Sequence, residues 1–120
     1  MTQPFRIRLY QMDAVVGDFD ANLQKIARAA DQARADGISM LVVPELALTG
    51  YPPEDLLLRP ALIDKLAAAN LMLQEISHDV TLCVGAPSAV PVATSDWALG
   101  NNSARPASLL NSLLMYRNGE

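Results

Sequence analysis

The chain has a single cysteine, Cys83, and a single histidine, His78. An internal disulfide is therefore excluded, and these two residues are too few to supply the ligands of a structural zinc site. Basic residues are also scarce, with 9 Lys and Arg against 13 Asp and Glu and a net charge of -4. That balance opposes the salt-dependent grip on a phosphate backbone that nucleic-acid binding needs. No apolar run approaches the roughly 20 residues required to cross a bilayer. The opening Met1-Thr2-Gln3-Pro4-Phe5-Arg6 has no apolar core of a secretory signal. A cytoplasmic protein with no nucleic-acid and no membrane partner is expected. What remains is 120 residues that are 51% hydrophobic and 18% charged, enough for one globular domain with a core.

Hydrophobic periodicity predicts an α/β order. Phe5, Ile7 and Leu9 alternate with Arg6, Arg8 and Tyr10, which predicts a strand over residues 5–12 with that apolar side buried. Leu23, Ile26, Ala27, Ala30 and Ala33 recur at helical spacing, with Asp18 or Asp20 as cap and Gly37 as stop, predicting a helix over about 19–36. The apolar run Ile38 to Val43 predicts a strand covered on both faces and ended by Pro44. Leu62, Ile63, Leu66, Ala67, Leu71, Leu73 and Ile76 predict a second helix over about 60–77. Val80 to Val84 reads as a strand stopped by Gly85-Ala86-Pro87. Residues 88–106 have no period and read as an irregular insert in which no catalysis is expected, and Trp97 within it reads equally as a partner anchor or a local plug. Leu109 to Tyr116 reads as a last strand, running into Asn118-Gly119, a pair suited to a type I′ turn. A return strand is expected beyond Glu120, because a hairpin turn connects two strands.

Glu45 is the leading candidate for chemistry. It follows a strand directly, ligand sites in α/β sheets gather beyond the carboxyl ends of strands, and Pro44, Leu46, Ala47 and Leu48 are suited to desolvating a carboxylate that acts as a base. Taken alone, the same residue also reads as a solvated charge at a strand end. Tyr51 lies on a turn stiffened by Gly50, Pro52 and Pro53 and reads equally as the wall of a small polar-substrate pocket or as surface packing. Lys25 and Lys65 fall on the polar faces of the two predicted helices. Cys83, between Leu82 and Val84, reads as a core residue rather than a nucleophile. His78 ends a helix with no acid-base partner nearby in sequence, and Glu54 and Asp55 suit the first turn of a short helix.

The run Val42-Val43-Pro44-Glu45-Leu46-Ala47-Leu48-Thr49-Gly50-Tyr51 resembles the glutamate-bearing loop of the nitrilase (carbon-nitrogen hydrolase) superfamily. Its continuation, Pro52-Pro53-Glu54-Asp55-Leu56-Leu57, narrows the resemblance to the glutaminase domain of glutamine-dependent NAD synthetases. Gln11, Val16-Gly17-Asp18, Asn22, Val84-Gly85-Ala86-Pro87, Leu110-Asn111-Ser112 and Asn118-Gly119-Glu120 extend it, and residues 88–106 depart from it. The resemblance implies a partial α-β-β-α sandwich in which Glu45 is general base toward a cysteine thiol, a lysine stabilises the oxyanion, and Tyr51 lines the glutamine pocket.

It further implies an intact, homo-oligomeric enzyme that hydrolyses glutamine and passes ammonia to a carboxyl-terminal synthetase domain. That domain uses ATP and Mg to amidate deamido-NAD. Neither Lys25, Lys65 nor Cys83 matches the family's lysine or cysteine, and no cofactor is expected within these residues. Residues 1–120 are thus expected to be the amino-terminal portion of the glutaminase domain, inactive alone. The rival readings are a free-standing amidase, opposed by the Pro52-Pro53-Glu54-Asp55-Leu56 run, and a non-catalytic α/β interaction module.

Overall fold

A computed structural model describes residues 3–90 and 108–120. The elements are β1 (Ile7–Leu9), α1 (Phe19–Ala35), β2 (Met40–Val42), a 3-10 helix (Glu54–Leu58), α2 (Ala61–Ile76), β3 (Thr81–Val90) and β4 (Ser108–Tyr116). They form one sheet in the order β1-β2-β3-β4, parallel across the first two pairings and antiparallel between β3 and β4. The fold class is the α/β arrangement that the sequence predicts.

The first helix starts and stops for local reasons. Asp18 caps α1 by accepting the Ala21 N–H at 3.0 Å, and the left-handed Gly37 (φ +70°) follows its end. Phe19, Asn22, Leu23, Ile26, Ala30 and Ala33 make its buried stripe. The Arg34 guanidinium donates to the Ile76 and His78 carbonyls at 2.8 and 3.0 Å, tying the end of α1 to the end of α2. On α2 the buried positions are Leu62, Ala69 and Leu73, with Leu66 and Ile76 half-buried beside them. Ala67 and Leu71 lie off that stripe and are exposed, although their apolar character placed them in the predicted core face.

Both helices pack on the sheet face that carries Leu41, Leu82, Val84 and Tyr116, all buried. The register Leu41↔Leu82↔Tyr116 aligns these residues across three strands. The Tyr116 hydroxyl donates to Asn70 Oδ1 at 2.8 Å, which satisfies its one buried polar atom.

The opposite face is apolar and open, and here the structure corrects the sequence reading. Phe5, Ile7 and Leu9 are exposed by 66, 57 and 76%, so the alternation of β1 is real but its apolar side faces away from the helices. Leu9, Val42, Cys83 and Met115 form a row across the four strands on that side. β1 is also shorter than the predicted 5–12. A second correction concerns β3, which does not stop at Gly85. It continues to Val90 because β4 pairs with it from Leu82↔Tyr116 to Val90↔Ser108. Pro87 is tolerated there because β2 has already ended. The predicted insert therefore begins with strand, and the rest of it, with Trp97, lies outside the described residues.

After β4, Arg117 and Glu120 exchange backbone hydrogen bonds of 2.9 and 3.1 Å around Asn118 (φ +49°) and Gly119 (φ +89°), the positive pair that a type I′ turn requires. The buried Ser77 at the end of α2 anchors the turn, accepting the Asn118 N–H at its carbonyl and the Gly119 N–H at its hydroxyl.

Cys83 is 3% exposed, and burial pushes its thiol pKa up. Alkylation by iodoacetamide at neutral pH is expected to run well below the rate of a free-cysteine peptide and to keep rising with pH past about 8.5, the ordinary thiol value. Because the folded value is raised, the linked stability is intact below that pH and lost as pH climbs through the folded value. A labelling rate equal to the peptide's would show that Cys83 is not sequestered.

Candidate active site at the end of β2

The last ladder bond of β2 runs from Val43 N–H to the Cys83 carbonyl at 2.9 Å, after which Pro44 turns the chain out of the sheet. Residues 45–49 form a tight turn closed by Ala47 N–H to Pro44 O (3.2 Å) and Gly50 N–H to Leu46 O (2.8 Å). Leu46 has φ +51°, a left-handed conformation that costs a non-glycine residue about 1–2 kcal/mol. Leu46 is buried at the turn, Ala47 and Leu48 are buried in the core cluster, and Glu45 is exposed. The apolar neighbours thus pack beneath the turn and do not desolvate the carboxylate, contrary to the sequence expectation.

Three features hold this turn. The first is Gly85 of β3, against which the turn backbone lies directly. A Cβ at residue 85 would collide with the Pro44 carbonyl and stand 2.7 Å from both Glu45 Cα and Leu46 N. The second is Asn22 on α1, fully buried, whose amide donates to the Val15 and Leu48 carbonyls at 2.8 and 2.9 Å while its Oδ1 accepts the Val15 N–H at 2.8 Å. Asn22 thereby joins the segment before α1 to the Glu45 turn, and Gly17 N–H to Thr49 O at 2.9 Å reinforces the junction. Gly50 (φ +81°) completes it, because a Cβ there would lie 2.5 Å from Val16 Cα.

The third feature is Asn111 on β4, whose Nδ2 donates to Glu45 Oε1 at 2.5 Å across 66 residues of sequence. Glu45 makes no ion pair among the described residues, so its polar partner is a neutral amide.

Tyr51 follows the turn and is 65% exposed, with no hydrogen bond to Glu45 among the described residues. Pro53 then leads into the 3-10 helix, with Glu54 and Asp55 in its first turn as expected. The remaining titratable candidates have local duties elsewhere. Lys25 Nζ donates to the Asp13 carbonyl, and Lys65 Nζ stands 5.6 Å from the centre of the Phe19 ring, a cation–π contact. His78 is exposed, with Nδ1 2.9 Å from the Glu75 carbonyl at the end of α2. Cys83 is buried in the sheet. Sequence reasoning read Gly85 as a strand stop and gave Asn22 and Asn111 no task beyond their place in the resemblance. The available signal was a polar or side-chain-free residue inside an otherwise apolar strand or helix stripe.

The model of one protein family, described as carbon-nitrogen hydrolase, matches residues 6–105. The chain belongs to the carbon-nitrogen hydrolase family. Among curated relatives, the glutamine-dependent NAD(+) synthetase of Synechocystis sp. is 48% identical over 82 residues, which is 68% of this chain and 15% of that protein. Among solved structures, the glutamine-dependent NAD+ synthetase from Acinetobacter baumannii, in complex with ADP, superposes with a TM-score of 0.81 at 29% identity, covering 97% of this chain and 19% of its own. A mutant of the amidase from Nesterenkonia sp. AN1, with the acetamide moiety of fluoroacetamide added covalently at its active-site cysteine, gives a TM-score of 0.65 at 30% identity over 70% of this chain and 32% of its own. The chain therefore spans less than a fifth of the synthetases it matches.

Gly85→Ala tests the packing of the carbon-nitrogen hydrolase turn on β3. The added methyl meets backbone that cannot move aside cheaply, so a loss of about 1–3 kcal/mol in equilibrium denaturation is expected. An unchanged midpoint would mean that the turn has room to lift off the strand.

Proposed function

We propose that residues 1–120 are the amino-terminal portion of the glutaminase domain of a glutamine-dependent NAD synthetase, with Glu45 as general base and Tyr51 in the glutamine pocket. The observation that carries this reading is the exposed Glu45 carboxylate, held on a strained turn at the carboxyl end of a central strand. The synthetase likenesses support it. The superposition on the Acinetobacter baumannii synthetase spans 97% of the chain against 70% for the amidase, which favours the synthetase over a free-standing amidase.

In this reading Glu45 takes the proton of a cysteine thiol supplied by residues outside these 120. The thiolate attacks the side-chain amide carbon of glutamine, the C–N bond breaks as the nitrogen receives the proton held by Glu45 and leaves as ammonia, and a thioester remains. Glu45, again a carboxylate, takes a proton from water as it adds to the thioester and passes that proton to the departing sulfur as the C–S bond breaks, releasing glutamate and restoring the thiol. A lysine outside these residues stabilises the oxyanion in both steps. Tyr51 presents a ring and a hydroxyl beside the turn, suited to a small substrate with an apolar stem and polar ends. Ammonia then passes to a synthetase domain of the same polypeptide, which uses ATP and Mg to amidate deamido-NAD.

The open apolar face of the sheet supports the sandwich in this proposal, since Ile7, Leu9, Leu113 and Met115 are the kind of surface that a second sheet covers.

Two outcomes are expected. In the full-length protein Glu45→Gln abolishes glutamine-dependent NAD synthesis and leaves synthesis from added ammonia intact, measured by coupled assay with each nitrogen source. Loss of both in a folded variant would remove Glu45 from a dedicated glutaminase role. Separately, the purified 120-residue polypeptide releases no ammonia from glutamine, because a base without its nucleophile has no covalent route. Glu45-dependent ammonia release from that polypeptide would overturn the assignment of the nucleophile to residues outside it.

A further inference from the structure

We infer that Asn111 is the positioning residue of the Glu45 base, fixing one carboxylate oxygen so that the other is presented for proton transfer. The inference rests on the glutaminase reading of Glu45 and adds a residue to which that reading gives no task. A glutamate on an exposed turn samples many rotamers, and ordering such a side chain costs up to about 2 kcal/mol. A general base must be within hydrogen-bond reach of its proton in one orientation. The structure meets that demand from a strand: Asn111 Nδ2 donates to Glu45 Oε1 at 2.5 Å, which leaves Oε2 without a protein donor among the described hydrogen bonds.

The placement of Asn111 is itself determined by register. β4 pairs with β3 so that Leu113 lies opposite Gly85 and Asn111 opposite Pro87. Residues two apart on a strand share a face. Asn111 thus stands on the same face as Gly85, where the Pro44–Leu46 backbone rests, and the two contacts fix the turn and its side chain from adjacent strands. An amide is suited to the task because it donates without adding charge. A lysine or arginine there would bind the carboxylate as an ion pair and compete with the thiol for the same oxygens. Asn111, with Ser112, also interrupts the apolar run from Leu109 to Leu114.

The test is a double-mutant cycle in the full-length protein, reading kcat and KM for glutamine hydrolysis. Asn111→Leu is expected to lower kcat about 100-fold, the scale of a misplaced catalytic group, with KM for glutamine changed less than about twofold. In a Glu45→Asp background, whose shorter carboxylate lies out of reach of the Asn111 amide, the same Asn111→Leu change is expected to have no further effect on the remaining turnover, because the contact it removes is already gone. Asn111→Asp, which keeps the shape but replaces the donor by a second carboxylate, should be at least as damaging and serves in the cycle if the leucine variant fails to fold. Equal fold-losses in both backgrounds, an unchanged kcat, or a loss confined to KM would each overturn the inference. Glu45→Gln separates the two ideas. If it is inactive while Asn111 variants turn over normally, only the positioning role falls. If Glu45→Gln itself keeps glutamine turnover, the glutaminase reading falls and the positioning role goes with it.

Discussion

Backbone packed on backbone, with no side chain between, sets the position of Glu45. The Pro44–Leu46 segment lies so close to Gly85 that a Cβ on residue 85 would stand 2.7 Å from Glu45 Cα, and the turn reaches this closeness by placing Leu46 in a left-handed conformation. Strain of that kind persists only where surrounding contacts over-determine the backbone. Here they do: Asn22 holds the far side of the turn through the Leu48 carbonyl, and Ala47 and Leu48 are packed in the core. The exposed carboxylate is therefore carried by one of the better-anchored pieces of backbone in the chain.

Much of this was legible in the sequence, and the legible part has a common physical origin. The helices announce themselves through local signals, a 3.6-residue period in both, with a capping aspartate and a following glycine at α1 and Pro60 before α2, and α1 and α2 fall within a residue or two of their predicted bounds. The type I′ turn at Asn118-Gly119 is likewise local, since two positive φ angles are needed and those residues tolerate them. The turn that carries Glu45 was visible because Pro44 and Gly50 punctuate the chain on either side of it.

What escaped is what depends on partners distant in sequence. The period-2 alternation of Phe5, Ile7 and Leu9 reveals two faces but not which one the helices cover, and the helices lie on the other. Gly85 and Pro87 read as strand breakers in isolation. They are strand residues because β4, more than 20 positions later, pairs with them, and because Gly85 needs to be bare where the Glu45 turn rests. The exposure of Glu45 is a third case. Its neighbours are apolar, but Leu46, Ala47 and Leu48 are buried while the carboxylate is exposed, at a turn whose left-handed Leu46 composition does not report.

Two asparagines at the site illustrate how differently the same side chain is used. Asn22 is fully buried, and all of its hydrogen bonds go to backbone groups of two loops, so each is an exchange of a lost water contact for a protein one. Removing it leaves the buried Leu48 carbonyl unsatisfied and unties Val15, and its contribution is to stability and loop order. Asn111 is exposed, and its amide meets a charged oxygen that water would solvate equally well, so the net stabilisation is small and does not explain the contact. An exposed, neutral donor aimed at a carboxylate acts on direction more than on stability. Direction is what the proposed role of Glu45 as base needs, and a strand held in register over nine residue pairs supplies it with little freedom to drift.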